Sequence, residues 1–129
     1  MSPNSPIWTR GTERIQSIYQ QNLSPIFSSW GSHRADMEYV ERSIIYGLFL
    51  SDLTVLDSVE AQIVVLVAIL CTGYGAPSIW HLRGLRRLGL GEDQVDAVRN
   101  AVARVAKWSG VDEGKVDEWP SCKDILDKV

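Results

Sequence analysis

The sequence predicts an all-α fold, and three features predict it. Apolar residues recur three and four positions apart, as in Val95, Val98, Val102 and Val105. Helix punctuation brackets such stretches: Asp57 stands three residues before Glu60, and Gly89 and Gly110 follow the last periodic positions. Nothing reads as a β-hairpin or a strand–helix–strand unit. The expectation is a single-domain bundle of about five to six helices.

Taken in order, residues 1–9 read as a flexible tail, because Ser2, Pro3, Ser5 and Pro6 interrupt regular structure. The domain is expected over 10–129. A first helix is predicted from Gly11 to Gln21 on the spacing of Ile15, Ile18 and Tyr19. Ser24-Pro25 is read as its break, followed by an irregular piece carrying Phe27 and Trp30. A second helix is predicted from Asp36 to Leu50, with Met37, Val40, Ile44, Ile45 and Leu48 as its buried stripe. Ser51 to Leu56 is a connection. The third helix starts at Asp57 under a capping box with Glu60 and is apolar nearly all round through Leu70, so it is expected at the centre and fully buried. Gly73, Gly75 and Pro77 mark a turn. A fourth helix is predicted from Ser78 to Leu88, ended by Gly89, and a fifth from Glu92 to Ser109, ended by Gly110. Ser121, with Asp124 in the reciprocal position, is read as the cap of a short last helix.

The 129 residues are 45% hydrophobic and 22% charged, a globular mix. A formal charge of −3 gives no global attraction to nucleic acid or to an anionic membrane. An anionic ligand therefore depends on local basic residues. The longest apolar run, Ile63 to Cys71, is too short to span a bilayer, and the N-terminus does not read as a signal peptide. A cytoplasmic protein with reduced thiols is expected. Two cysteines and two histidines far apart in sequence make no zinc pattern.

Candidate chemistry centres on Trp80-His81-Leu82-Arg83-Gly84. Trp80, Arg83 and Arg87 share one helical stripe, and His81 lies on the adjacent one. Arg83 or Arg87 suits a bidentate carboxylate, and His81 suits proton transfer near neutral pH. Each has a plainer reading: His81 as a hydrogen-bonded core residue, the arginines as a solvated face, Trp80 as core or interface. Glu60 is a candidate acid or base, and equally a helix cap. Tyr46 is a candidate donor to a developing enolate, or an edge aromatic. Asp52, in the connection before the third helix, is unexplained by secondary structure and is a candidate for that reason. His33 reads as a surface residue and secondarily as an acid–base candidate. Cys71 ends the third helix and reads as a small core residue, with a single-thiol role as the alternative. The five tryptophans suggest an aromatic-lined cavity or subunit contacts.

The run from Trp80 to Gly84, followed by Gly89, by Glu92-Asp93-Gln94-Val95 and by Ala106 to Val111, resembles the carboxymuconolactone decarboxylase family within the alkylhydroperoxidase-D-like superfamily. Tyr46-Gly47 and Leu56-Asp57 with the following apolar helix resemble an upstream segment of that family; Trp30-Gly31 and Arg10-Gly11 fit more loosely. The likeness spans about residues 10 to 112. It implies an all-α subunit assembling into trimers or hexamers, a small-molecule substrate, and no metal or organic cofactor in the decarboxylase branch. Where the redox branch has paired cysteines before its histidine, this chain has Tyr74 and Pro77, which excludes a dithiol peroxidase there. Leu85-Arg86-Arg87-Leu88 departs from the decarboxylase pattern, and Glu60 stands roughly where that branch carries an arginine.

The expected function is cofactor-independent proton transfer next to a carbonyl: decarboxylation, or a related enolate rearrangement or cyclisation, of a carboxylated lactone or polyketide-like aromatic. The expected catalytic residues are His81, Arg83, Glu60 and Tyr46, with Trp80, Asp52, Arg87, His33 and Cys71 binding substrate. The alternative is a non-catalytic ligand-binding or scaffold relative of the same fold, favoured if His81 is packed in a closed core.

Overall fold

The computed structural model describes residues 5–125, and every regular element among them is helical. The chain divides into two compact units, Met1–Ala61 and Gln62–Val129.

In the first unit, α1 runs Pro6–Tyr19. The Ser5 hydroxyl accepts from the Trp8 amide at 3.2 Å, and Pro6 takes the first helical position, where a missing N–H costs nothing. The expected tail over 1–9 is thereby corrected: Ser5 and Pro6 start a helix, and residues 1–4 lie outside the described residues. The break comes at Gln20, whose φ of 46° is left-handed, and not at Ser24-Pro25. Pro25 sits in the first turn of α2 (Leu23–Ser28), which carries Phe27 into the core. The segment from Asp36 to Leu50 is not one regular α-helix. It is α3 (Arg34–Tyr39) continued by a π-helical segment, Val40–Phe49, whose wide turn closes with the Leu50 amide on the Ile45 carbonyl at 2.9 Å.

That change of pitch re-aims the side chains. Met37, Val40 and Leu48 of the expected stripe are exposed, whereas Ser43, Tyr46 and Gly47 are buried. The reason is a backbone-to-backbone crossing with α1. A Cβ on Gly11 would overlap the Arg42 carbonyl oxygen and come within 2.6 Å of the Gly47 nitrogen; one on Gly47 would lie 2.5 Å from the Ile7 carbonyl. Only hydrogen fits at either position. Arg10 locks the crossing, donating to the Gly47 carbonyl from Nε at 3.0 Å and Nη2 at 2.6 Å. Beside it, Ile15, Ile18, Leu23, Phe27 and Tyr46 form the core of this unit.

The boundary between units falls inside α4 (Ser58–Thr72). Its start carries the expected capping box: Asp57 Oδ1 accepts from the Val59 and Glu60 amides at 2.8 Å, and Glu60 accepts from the Asp57 amide at 2.9 Å. Arg14 of α1 donates to the hydroxyl and carbonyl of Ser58. The expectation of complete burial is corrected. Only Gln62, Leu66 and Leu70 are buried, one stripe at intervals of four, and Val64 on the other side is 57% exposed.

The second unit continues with α5 (Gly75–Arg87), α6 (Glu92–Trp108), α7 (Glu113–Asp117) and a 3₁₀ turn at Cys122–Asp124. α5 starts at Gly75, ahead of the expected Ser78, since the Ser78 amide already bonds the Tyr74 carbonyl. Gly89 and Gly110 end α5 and α6 as expected, each with positive φ, and the Leu90 and Val111 amides reach back to the Leu85 and Ala106 carbonyls. The valine seam of α6 is only partly buried. Val95 is covered, but Ala103 and Ala106 pack with Val116, while Val105 is exposed. α7 is an element the sequence reading lacked; Asp112 caps it through the Lys115 amide at 3.0 Å. Arg99 ties its end to α6, donating to the Val116 and Trp119 carbonyls at 3.1 and 2.8 Å. The expected reciprocal pairing of Ser121 with Asp124 is present, on a 3₁₀ turn.

Gly11→Ala is expected to cost about 1–3 kcal/mol or more through overpacking. Gly75→Ala, with open space around its Cβ and a place in the first turn of α5, is expected to be neutral or to gain about 0.4–1 kcal/mol. Urea denaturation of the two variants reads the difference.

Candidate functional site

His81 is 3% exposed on α5. Its Nδ1 lies 2.8 Å from the Gln62 Nε2, and the same amide nitrogen donates to the His81 carbonyl at 3.1 Å. The two contacts fix the chemistry of the ring. A carbonyl only accepts, so the Gln62 atom facing it is the NH₂; turning the amide over would set two oxygens against each other. One amide proton therefore goes to the carbonyl and the other to Nδ1. Nδ1 accepts, and in the neutral ring the proton sits on Nε2. A general base needs a free lone pair, and here Gln62 occupies it. Glutamine has no proton to relay and no negative charge with which to stabilise an imidazolium.

Arg83, two residues on, is 8% exposed, and its Nε is buried with no hydrogen-bond partner among the described residues. A spacing of two points side chains to different sides of a helix, so Arg83 and His81 share an element but not a face. Arg87, one turn after Arg83, is half-buried; burial first, and then the neighbouring Arg83 charge, push its guanidinium below the ordinary value. Arg83 is thus a buried guanidinium with a second one near it. Trp80 is half-buried on the same helix.

The other sequence candidates have structural work. Glu60 is held in the capping box, and Asp52 forms an Asx turn, accepting from the Thr54 amide at 3.2 Å and hydroxyl at 2.8 Å. Those bonds, the hydroxyl first, lower the Asp52 carboxyl below its usual range. Tyr46 is buried and donates its hydroxyl to Tyr19 at 3.3 Å, with the rings edge to face. Burial, then Tyr19, holds the Tyr46 phenol well above its usual range. His33 lies exposed in a 3₁₀ turn. Cys71, expected in the core, is exposed, because it falls off the Gln62–Leu66–Leu70 stripe. Tyr46, Asp52, Glu60 and His33 belong to the first unit, and Cys71, Trp80, His81, Arg83 and Arg87 to the second.

Two residues escaped the sequence reading. Gln62 carried a usable signal: it is a polar side chain on the same stripe as Leu66 and Leu70, and a buried amide demands partners. Glu41 carried none. It is half-buried on the π segment beside Tyr19 and Tyr46, and burial raises its carboxyl pKa. No group of three or more His, Cys, Asp or Glu able to hold a metal ion is present among the described residues. No helix among them is long and apolar enough to cross a membrane.

No family profile matches the chain, and no solved structure matches it. It is similar to Peroxisomal protein 2 of Saccharomyces cerevisiae, at 23% identity over 101 residues covering 78% of this chain. The chain matches 36% of the length of that protein.

Gln62→Leu strips partners from both His81 Nδ1 and the His81 carbonyl, and is expected to cost about 1–3 kcal/mol in chemical denaturation. In the unaltered protein, long-range proton–nitrogen NMR is expected to show the neutral His81 ring protonated on Nε2. Glu41 supplies a test of sign. Its folded pKa lies above the unfolded one, so its contribution is intact below the ordinary value of 4.5 and is lost as pH rises through the raised value. Glu41→Gln is therefore expected to raise the melting temperature at neutral pH and to lose that advantage in acid.

Proposed function

We propose that this chain is a non-catalytic, ligand-binding helical protein that takes a small carboxylate at Arg83 and associates with further copies of itself. The observation that carries the reading is the occupied Nδ1 of His81, set against the unpartnered Nε of Arg83. The first leaves the strongest acid–base candidate without a free lone pair; the second leaves a buried cation with unused hydrogen-bonding capacity. With a formal net charge of −3 the chain offers no diffuse attraction to anions, so selectivity for a carboxylate rests on this local charge. Self-association is supported by exposed apolar side chains, among them Phe49 and Val55 in the first unit and Val64 and Trp108 in the second. The resemblance to the carboxymuconolactone decarboxylase family favours an oligomer of that kind, a trimer or hexamer.

In the enzymatic reading, cofactor-free decarboxylation or enolate rearrangement with His81, Arg83, Glu60 and Tyr46, His81 acts through its Nε2–H while Gln62 holds Nδ1, and Glu60 as an acid or base leaves its cap. The support for that reading is the family resemblance around Trp80 to Gly84.

Arg83→Met separates a ligand site from a structural arginine. An unpaired buried charge is costly, so this variant is expected to melt higher than the parent and to lose calorimetric binding of an aromatic carboxylate such as benzoate. A sharp loss of stability, with benzoate binding unchanged, would overturn the proposal. Native mass spectrometry of the parent reads the assembly. Turnover of a carboxylated lactone that vanishes in folded His81→Ala would establish the enzymatic reading instead.

A further inference from the structure

A cavity lies at the start of α5. The cavity holds about 240 Å³ and is lined by Tyr74, Gly75, Ser78, Lys115, Glu118 and Trp119, among others. Its volume is below the roughly 300–1,000 Å³ of drug-sized sites, which suits a metabolite of few atoms. Trp119, half-buried, and the exposed Tyr74 supply aromatic surface.

Two opposite charges line the cavity, yet they do not pair. Lys115 and Glu118 stand three residues apart, a spacing that brings helical side chains together, and neither side chain makes an ion pair or hydrogen bond among the described residues. Their charges remain available to a guest. On the α5 side, Tyr74 precedes the helix in extended conformation and gives no side-chain cap, and Gly75, the first residue of the helix, lines the same cavity as Lys115. The Ser78 hydroxyl is not available, because it donates to the Tyr74 carbonyl at 2.6 Å. The cavity thus offers a cationic side at Lys115 and the α5 start, an anionic point at Glu118, and aromatic rings beside them.

We infer that this cavity is a binding site for a zwitterionic amino acid with an apolar side chain. Lys115 and the first turn of α5 take the carboxylate, Glu118 takes the ammonium, and Tyr74 and Trp119 cover the side chain. Both charged residues are exposed, so water screens them and the affinity is modest. Arg83 does not line the cavity, and the inference stands apart from the carboxylate site proposed above.

The test is an NMR titration of the full chain with L-leucine, isocaproate, which lacks the amine, and isoamylamine, which lacks the carboxylate. Leucine is expected to give saturable shifts of the Gly73 and Gly75 amides and the Trp119 indole. Each analogue is expected to bind about tenfold more weakly. Lys115→Met is expected to weaken leucine and isocaproate but not isoamylamine; Glu118→Gln is expected to weaken leucine and isoamylamine but not isocaproate. Both positions are exposed, and unchanged melting temperatures confirm folding. Arg83→Met is expected to leave leucine binding intact. The absence of saturable shifts at these residues, or leucine binding indifferent to both substitutions, overturns the inference.

Discussion

The amide of Gln62 is the constraint on which the chemistry of this protein turns. It has two protons, and His81 takes both, one at the ring and one at the main-chain carbonyl. In doing so the amide joins α4 to α5 across a buried polar pair and selects one tautomer of the imidazole. A carboxylate in the same place would accept the Nδ1 proton, leave the far nitrogen with a lone pair and stabilise an imidazolium. The glutamine does the opposite on each count. The partner that sets the tautomer of His81 is therefore a residue nineteen positions upstream, and not a neighbour of the histidine in sequence.

The first unit is governed by a different kind of limit, one of space. At Gly11 and Gly47 two backbones approach so closely that no side chain fits between them. The π-helical turns of Val40–Phe49 accompany this approach, and the side of that segment facing α1 carries Ser43, Tyr46 and Gly47. The larger apolar residues Val40, Leu48 and Phe49 are left facing outward. Tyr46 gains a half-buried partner in Tyr19, and Glu41 is drawn into half-buried surroundings that oppose its ionisation.

α4 joins these accounts to the question of partners. It is apolar on almost every side, yet only its Gln62, Leu66 and Leu70 stripe is covered. On α6, Val105 and Trp108 are likewise exposed.

Helix punctuation was legible from local chemistry alone. The Asp57–Glu60 box, the glycine ends at Gly89 and Gly110 and the Ser121–Asp124 pairing each depend on residues within one or two turns, so spacing specifies them. Helical class was legible for the same reason, since period and caps are short-range properties. What faces inward was not. The Met37–Leu48 and Val95–Val105 stripes are real periodicities, but the tertiary packing turned them partly toward solvent, and only the glycine crossing and the Ala103–Ala106–Val116 contact explain why. A buried, hydrogen-bonded His81 was one of two readings the sequence left open; its partner Gln62 was not legible, because the tautomer depends on the group that meets Nδ1 in space. Hydrophobic period tells which residues prefer burial; only the three-dimensional fold decides which of them obtain it, and which polar atoms meet.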